Sequence, residues 1–329
     1  MVSPTEVLWQ TLSSTLKQFV EREEYLDEVA DLLASILPTY LKEENAGKYF
    51  RFWETHGFHL TPVHFYQPIP DTRSLTDRLW STPNRLLGVD FNDEVQLDLL
   101  RNVFPVYREE CARISTEPTG RAYEFYLNNG MFDRTDALAY YCLIRHFRPK
   151  LIIEVGAGFS SRLSAQAALQ NGGSRLICIE PYPDHALTHG TPGVTTLIER
   201  RVQDVELELF QDLTAGDMLF IDSSHVVSLG GDVIHLFREI VPHLKPGVLI
   251  HLHDVFLPDE YPRDWVLGRR QFWTEQHLLQ AFLAFNSEFE VLFANAYLGQ
   301  KYLSELQAAF PTLLDWSGGS FWMRRKSKT

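Results

Sequence analysis

Two clusters of residues in this sequence could carry chemistry. The first is EVGAGFSS, in which an apolar run breaks at Glu154, Gly156 and Gly158 and leads through Ser160 into a helical pattern. Glycine lets a backbone turn tightly and approach a ligand, and a helix start supplies free N–H donors. Glu180 ends a second apolar run 22 residues after Gly158. A carboxylate at that point can accept hydrogen bonds from both ribose hydroxyls of an adenosine-type cofactor. Gln203 and Asp204 follow a third run, where a side chain can reach an adenine amino group. The second cluster comprises Asp222-Ser223-Ser224-His225 and His251-Leu252-His253-Asp254, the ends of two further apolar runs. Acids and histidines meeting in one crevice can move protons, and Asp222, His253 and Asp254 could hold one divalent cation with positions open to substrate oxygens.

The elements around these residues follow from periodicity. From about Asp133 onward, short apolar runs (LIIEV, RLICI, VTTLI, DMLFI, GVLIHL, FEVLFA, SFWMRR) alternate with amphipathic stretches such as DRTDALAYYCLIRHF, SSRLSAQAALQ and EQHLLQAFLAF. Short apolar strands between helices predict an α/β fold, a doubly wound, mostly parallel seven-stranded sheet covered on both faces, and ligands in such sheets sit at the carboxyl ends of the strands. Both clusters fall at those ends. Strand alternation turns His251 away from Asp254, into a structural role or one supporting the site from behind, and Asp217 and Asp232 read as capping residues. Residues 1–130 have another texture: helical spacing over the first 45 residues, closed by Pro38, then a proline- and aromatic-rich stretch from His56 to Asp90, then a helical run NDEVQLDLLRNVFPVYREECARI. This divides the chain into a helical, loop-rich N-terminal region over 1–130 that covers the substrate, and a cofactor-binding domain over 131–329.

Composition removes several classes. A length of 329 residues allows one large or two modest domains, and 45% hydrophobic with 22% charged residues describes a folded chain. The net charge of −13 opposes binding to a phosphate backbone, so nucleic acid is not an expected partner. Cys111, Cys142 and Cys178 are too widely spaced for a disulfide ladder or zinc cluster, and together with the lack of a leader or spanning segment they imply a cytoplasmic protein with no membrane partner.

The turn GAGFSS lacks the third glycine of a dinucleotide fingerprint, and the acid two residues before the first glycine suits a cationic cofactor. Here the sequence resembles the class I S-adenosylmethionine-dependent methyltransferases, whose first motif is an apolar strand ending E/D-x-G-x-G, over residues 133–325. The resemblance implies that Glu154, Gly156 and Gly158 line the methionine and ribose, with Ser160 beside them, that Glu180 holds the ribose hydroxyls, and that Gln203 and Asp204 flank the adenine. The I-D-x-x-H ending of the fourth strand is similar to that of the metal-dependent sugar and macrolide O-methyltransferases. That likeness implies His225 as general base and Asp222 and Asp254 as ligands of a divalent metal. His253 departs from it, standing where an acid is usual; this implies a softer metal than magnesium, such as manganese or iron, or a role in proton transfer, or no metal at all.

THGFHLTPVHFYQPIPDTRS and YLNNGMFDRTDA look like motifs of uncharacterised bacterial methyltransferases near polysaccharide gene clusters, which implies a substrate pocket including His64, Tyr66, Asn129 and Gly130. The aromatic segment VFLPDEYPRDWVLGRRQFWTEQ follows Asp254 as a candidate lid. The combined expectation is O-methylation of a sugar or other small hydroxyl compound, with S-adenosylmethionine as cofactor and a homodimer as a possible assembly. A metal-dependent hydroxylase on the same fold and a non-catalytic cofactor-binding protein are the rivals.

Overall fold

The apolar runs become strands because both of their faces are covered. In the computed structural model, which describes residues 4–20, 22 and 25–327, seven strands form one sheet: β1 (Leu151–Val155), β2 (Arg175–Ile179), β3 (Thr196–Ile198), β4 (Met218–Ile221), β5 (Leu249–Leu252), β6 (Phe289–Ala294) and β7 (Phe321–Arg325). Their order is β3-β2-β1-β4-β5-β7-β6, with β7 antiparallel to both neighbours and the other pairs parallel. Side-chain alternation splits the core in two. Ile152, Met218, Phe220, Leu249 and Trp322 face one layer with helix Arg134–Phe147, while Ile153, Leu219, Ile250 and Met323 face the other with helix Glu275–Leu283.

The chain separates into two compact units, residues 1–75 and 76–329. The boundary expected near residue 130 therefore moves. Residues 93–111 form helical turns whose Leu99, Leu100, Val103 and Phe104 belong to the sheet's own core. Buried Gln96 accepts a hydrogen bond from Ala294 N at 2.8 Å and donates to Phe91 O, tying this stretch to the end of β6. The first unit contains helices Pro4–Val20, Leu26–Ile36 and Glu43–Thr55. Pro38 lies within a short turn of helix between the second and third. Tyr40 packs edge-on against Tyr49 and Trp53 there. No helix among the described residues is long and apolar enough to cross a membrane. All three cysteines are buried and free.

One buried acid aligns the strand starts. Asp217 Oδ1 accepts from Lys150 N and Leu151 N at 2.9 Å each, and Oδ2 accepts from Thr214 N and Thr214 Oγ1 at 2.8 and 2.7 Å. It thus ties the entry of β1 to the turn before β4. Asp217→Ala strands three backbone donors and should cost about 3 kcal/mol of unfolding free energy in urea. A loss below about 0.5 kcal/mol would show that water replaces the carboxylate.

Candidate active site

The sheet reverses its strand order between β1 and β4, and the cleft opens at that switch point. Gly156 leaves β1 at φ +82°, and a Cβ there would stand 1.7 Å from the carbonyl oxygen of Asp222. Only glycine permits this approach. Gly156 N donates to Ile179 O at 3.0 Å and Asp222 N donates to Val155 O at 2.8 Å, so the ends of β1, β2 and β4 are joined around one turn. A Cβ at Gly158 would meet nothing within 4 Å, so the backbone here borders open space in the cleft.

Two adjoining cavities of about 380 and 390 Å³ share Gly156, Glu180, Tyr182 and Asp222. The first continues past Gly158 and Ser160 to Met131 and Phe132, and the second runs to Gln203 and Ser224. Glu180 borders both, with one oxygen accepting from Tyr182 N at 2.8 Å. Gln203 donates to Gly230 O at 3.1 Å and keeps a buried Oε1 without a partner. A ligand with an open glycine floor to fill, a diol for Glu180 and an amino donor for Gln203 matches these features, and an adenosine-type cofactor has all three.

Three expected contacts are not made. Glu154 is wholly buried and does not border the cleft: Tyr140, Ser160, Ser161 and Ser164 donate their hydroxyls to its two oxygens. Strand alternation explains this, since the neighbours Ile153 and Val155 face the opposite layer. Burial pushes the Glu154 carboxyl above its ordinary range, and the four hydroxyls oppose that rise. Asp204 points to solvent and pairs with Arg201 at 2.8 Å. Asn129 spends its whole amide on its own loop: Nδ2 donates to Tyr126 O and Phe132 O, and Oδ1 accepts from Met131 N and Phe132 N. It shapes the cleft wall without being free to hold an acceptor. Gly130 occupies the turn of that loop at φ +72°. His64 and Tyr66 lie in the first unit, both exposed, with ring centroids 5.0 Å apart.

The acid–histidine residues do converge. His225 Nε2 lies 3.3 Å from Asp222 Oδ1 and 3.6 Å from Asp254 Oδ2, and His253 Nδ1 lies 3.5 and 3.6 Å from the same two oxygens. Ligand atoms of Asp222, His225 and Asp254 all fall within 4.8 Å of one another. His225, expected as a base, thus stands among potential metal donors beside the expected His253. Two carboxylates that sequence reasoning missed complete the cluster. Glu275 Oε2 is 2.9 Å from His225 Nδ1, and Asp136 Oδ2 is 3.6 Å from His253 Nε2. Asp136 also accepts from Gly319 N and Ser320 N at 2.8 Å each. Both acids stand in the first turn of a helix, where acids are common, and nothing in their spacing sets them apart. Asp232 accepts from Ser224 N at 2.9 Å and Ser224 Oγ at 2.6 Å, which steadies the loop after β4. His251 is structural as expected, stacked 4.0 Å from Phe220 and bonded to Ser320 Oγ.

Electrostatics within the cluster are lopsided. Burial works against charge on Asp222, but His253 and His225 outweigh it and hold that carboxyl well below the usual range. Burial likewise opposes charge on His225, yet Asp222 and Glu275 push it up to about 10. His253 rises too, as Asp254 and Asp222 overcome its burial. Burial raises Asp254 and Glu275.

A seven-stranded sheet of this order with an antiparallel β7, and a cleft over the turn after β1, define the class I methyltransferase fold. Residues 153–255 match the family described as a methyltransferase domain. The chain has the class I methyltransferase fold, and the methyltransferase-domain match falls on β1 through β5 of its sheet. An uncharacterized protein of Archaeoglobus fulgidus is 36% identical over 161 residues, 46% of this chain and 72% of that protein. Among solved structures, an O-methyltransferase of Streptomyces achromogenes involved in tomaymycin synthesis, in complex with SAM, is 18% identical over 73% of this chain and 92% of its own, at a TM-score of 0.34. A SAH-bound methyltransferase of Podospora anserina is 17% identical over 73% and 98%, at 0.39.

Two outcomes follow. Gly156→Ala should lower unfolding free energy by at least about 3 kcal/mol, because strain at positive φ adds to a backbone clash; a thermal midpoint like that of the wild type would disprove the close approach. In chelator, the His225 contribution to stability should be fully present below its ordinary value of 6.5 and fade as pH rises toward about 10. The stability gap between wild type and His225→Gln in urea should therefore shrink from pH 6 to pH 10, and a gap that widened would reverse the sign of the shift.

Proposed function

We propose that this chain transfers a methyl group from S-adenosylmethionine to a hydroxyl of a small acceptor, a sugar or another polyhydroxyl compound. One observation carries this reading: Asp222 borders both cavities of the cofactor cleft and also belongs to the acid–histidine cluster. A cofactor in the cleft would therefore present its reactive end beside groups able to manage a hydroxyl proton.

Gly156 and Gly158 let the backbone approach the cofactor, Glu180 would hold the ribose hydroxyls, and Gln203 would meet the adenine. The bound cofactor supplies an electrophilic methyl carbon on a sulfonium. His225 accepts the acceptor's hydroxyl proton at Nε2, and orientation of that hydroxyl supplies the rest of the rate. Asp222, His253 and Asp254 would hold a divalent cation, whose chemistry is to lower the hydroxyl's pKa. Their mixed oxygen and nitrogen donors suit manganese or iron better than magnesium. A cation held by Asp222 and Asp254 would neutralise the carboxylates that help His225 retain its proton, and so would favour the neutral imidazole a base requires. Met131 and Phe132, set by the Asn129 staple, form the far wall.

Calorimetry with S-adenosylmethionine should show one-to-one binding. Labelled methyl transfer to a panel of methyl glycosides, followed by mass, should show a gain of one methyl. His225→Ala should cut turnover by about 10²–10⁴-fold with cofactor affinity unchanged. Absence of cofactor binding would overturn the whole reading; unchanged turnover in His225→Ala would overturn only the base.

A further inference from the structure

The helix Glu275–Leu283 meets the cluster at its first residue. His225 adopts φ +60°, a left-handed conformation that costs a residue with a β-carbon of order 1–3 kcal/mol and persists only where its surroundings fix it. The surroundings here are one short segment. Thr274 N and Glu275 N both donate to His225 O, at 2.8 and 3.0 Å. Thr274 Oγ1 accepts from Val227 N at 2.8 Å, holding the chain just beyond. Trp273 lays its ring against the imidazole with centroids 4.3 Å apart. Glu275, 1% exposed, then takes the imidazole from the side opposite Asp222, with Oε2 at 2.9 Å from Nδ1. Ser223 Oγ lies 3.5 Å from the other oxygen. Residues 273–275 thus grip His225 together, Thr274 and Glu275 by its backbone and Trp273 and Glu275 by its ring, and Glu275 alone does both.

We infer that Glu275 is a positioning residue for His225: its buried carboxylate binds the Nδ1 proton and turns Nε2 toward Asp222 and Asp254, while the amides of Thr274 and Glu275 hold the strained backbone that carries the ring. Glu275 borders neither cavity of the cleft and acts through the histidine. A glutamate used merely to start a helix would point its carboxylate at the free N–H groups of its own first turn; this one turns to a ring 50 residues earlier in the chain. The inference rests on the reading of His225 as the group that receives the acceptor's proton. Carboxylate–histidine pairs gain both orientation and a fixed proton position from such a contact.

The test uses the full chain with S-adenosylhomocysteine bound and histidine labelled with nitrogen-15. A far-downfield proton on His225 Nδ1, assigned by its loss in His225→Gln, is expected in the wild type. In Glu275→Gln, which keeps the volume of the side chain, that proton should move upfield or exchange away, while calorimetric affinity for S-adenosylhomocysteine changes less than twofold. Any glycoside methylated by the wild type should then show kcat lowered about 10²-fold or more, with KM for S-adenosylmethionine unchanged. A His225 Nδ1 signal that persists unaltered in Glu275→Gln, or a wild-type Nδ1 without a proton, would overturn the assignment. Should Glu275→Gln fail to fold, the wild-type nitrogen shifts of His225 alone decide between a protonated and a bare Nδ1. Failure of S-adenosylhomocysteine to bind would instead strike the methyltransferase reading, so the two failures are separable.

Discussion

The site depends on how closely two strand ends approach. With the Asp222 carbonyl 1.7 Å from where a Gly156 Cβ would lie, β1 and β4 converge until no side chain fits between them. That convergence places the glycine floor, Asp222 and the end of β2 within one cleft, and Asp222 then reaches sideways to the histidines. Four hydroxyls on Glu154 support the turn from beneath. Its buried carboxylate is costly to desolvate and is retained because Tyr140 from one helix and three serines from the next converge on it. The acid of the glycine motif therefore serves as an internal brace that registers two helices against β1.

Around Asp222 and Asp254 the arrangement is nearly symmetrical. Each carboxylate oxygen sees two imidazole nitrogens at 3.3–3.6 Å, and each imidazole has a further buried acid behind it. The two outer acids differ in what else they hold. Asp136 is anchored by the backbone of Gly319 and Ser320 at the entry to β7, so it couples the cluster to the antiparallel strand pair. Glu275 is committed to His225 at hydrogen-bond distance. The difference assigns the tighter orientation to His225 and leaves His253 with the longer contact.

Every strand and the helices flanking the glycine turn were legible in the sequence, because apolar period and length decide them locally. What residue type and spacing alone do not reveal is direction. Glu154 had the right residue type for a cofactor contact, but the alternation that buries Ile153 on one face sends Glu154 to the other, a signal available in principle. Asp204 and Asn129 were equally plausible as ligands until their partners, Arg201 and the loop's own amides, came into contact. The domain boundary failed for a related reason: an amphipathic run such as 93–111 reads the same whether it covers this sheet or another body, and the contact that decides, Gln96 with Ala294, spans 198 residues. Glu275 and Asp136 were two of 43 acids until the fold brought each to a histidine.

Charge then gives the cluster a direction in the proposed reaction. The donor enters as a sulfonium cation, and Asp222, held well below the usual carboxylate range, borders both halves of its cleft as an anion. Once the methyl group has left, the product is a neutral thioether and the Coulomb attraction to Asp222 disappears. The same step delivers a proton to the cluster, which adds positive charge beside Asp222 and Asp254 and leaves less negative potential for the next donor. In the proposed reaction donor binding and proton release would therefore be linked through Asp222. A carboxylate shared by the cleft and the histidines could provide that linkage, which an acid confined to either one could not.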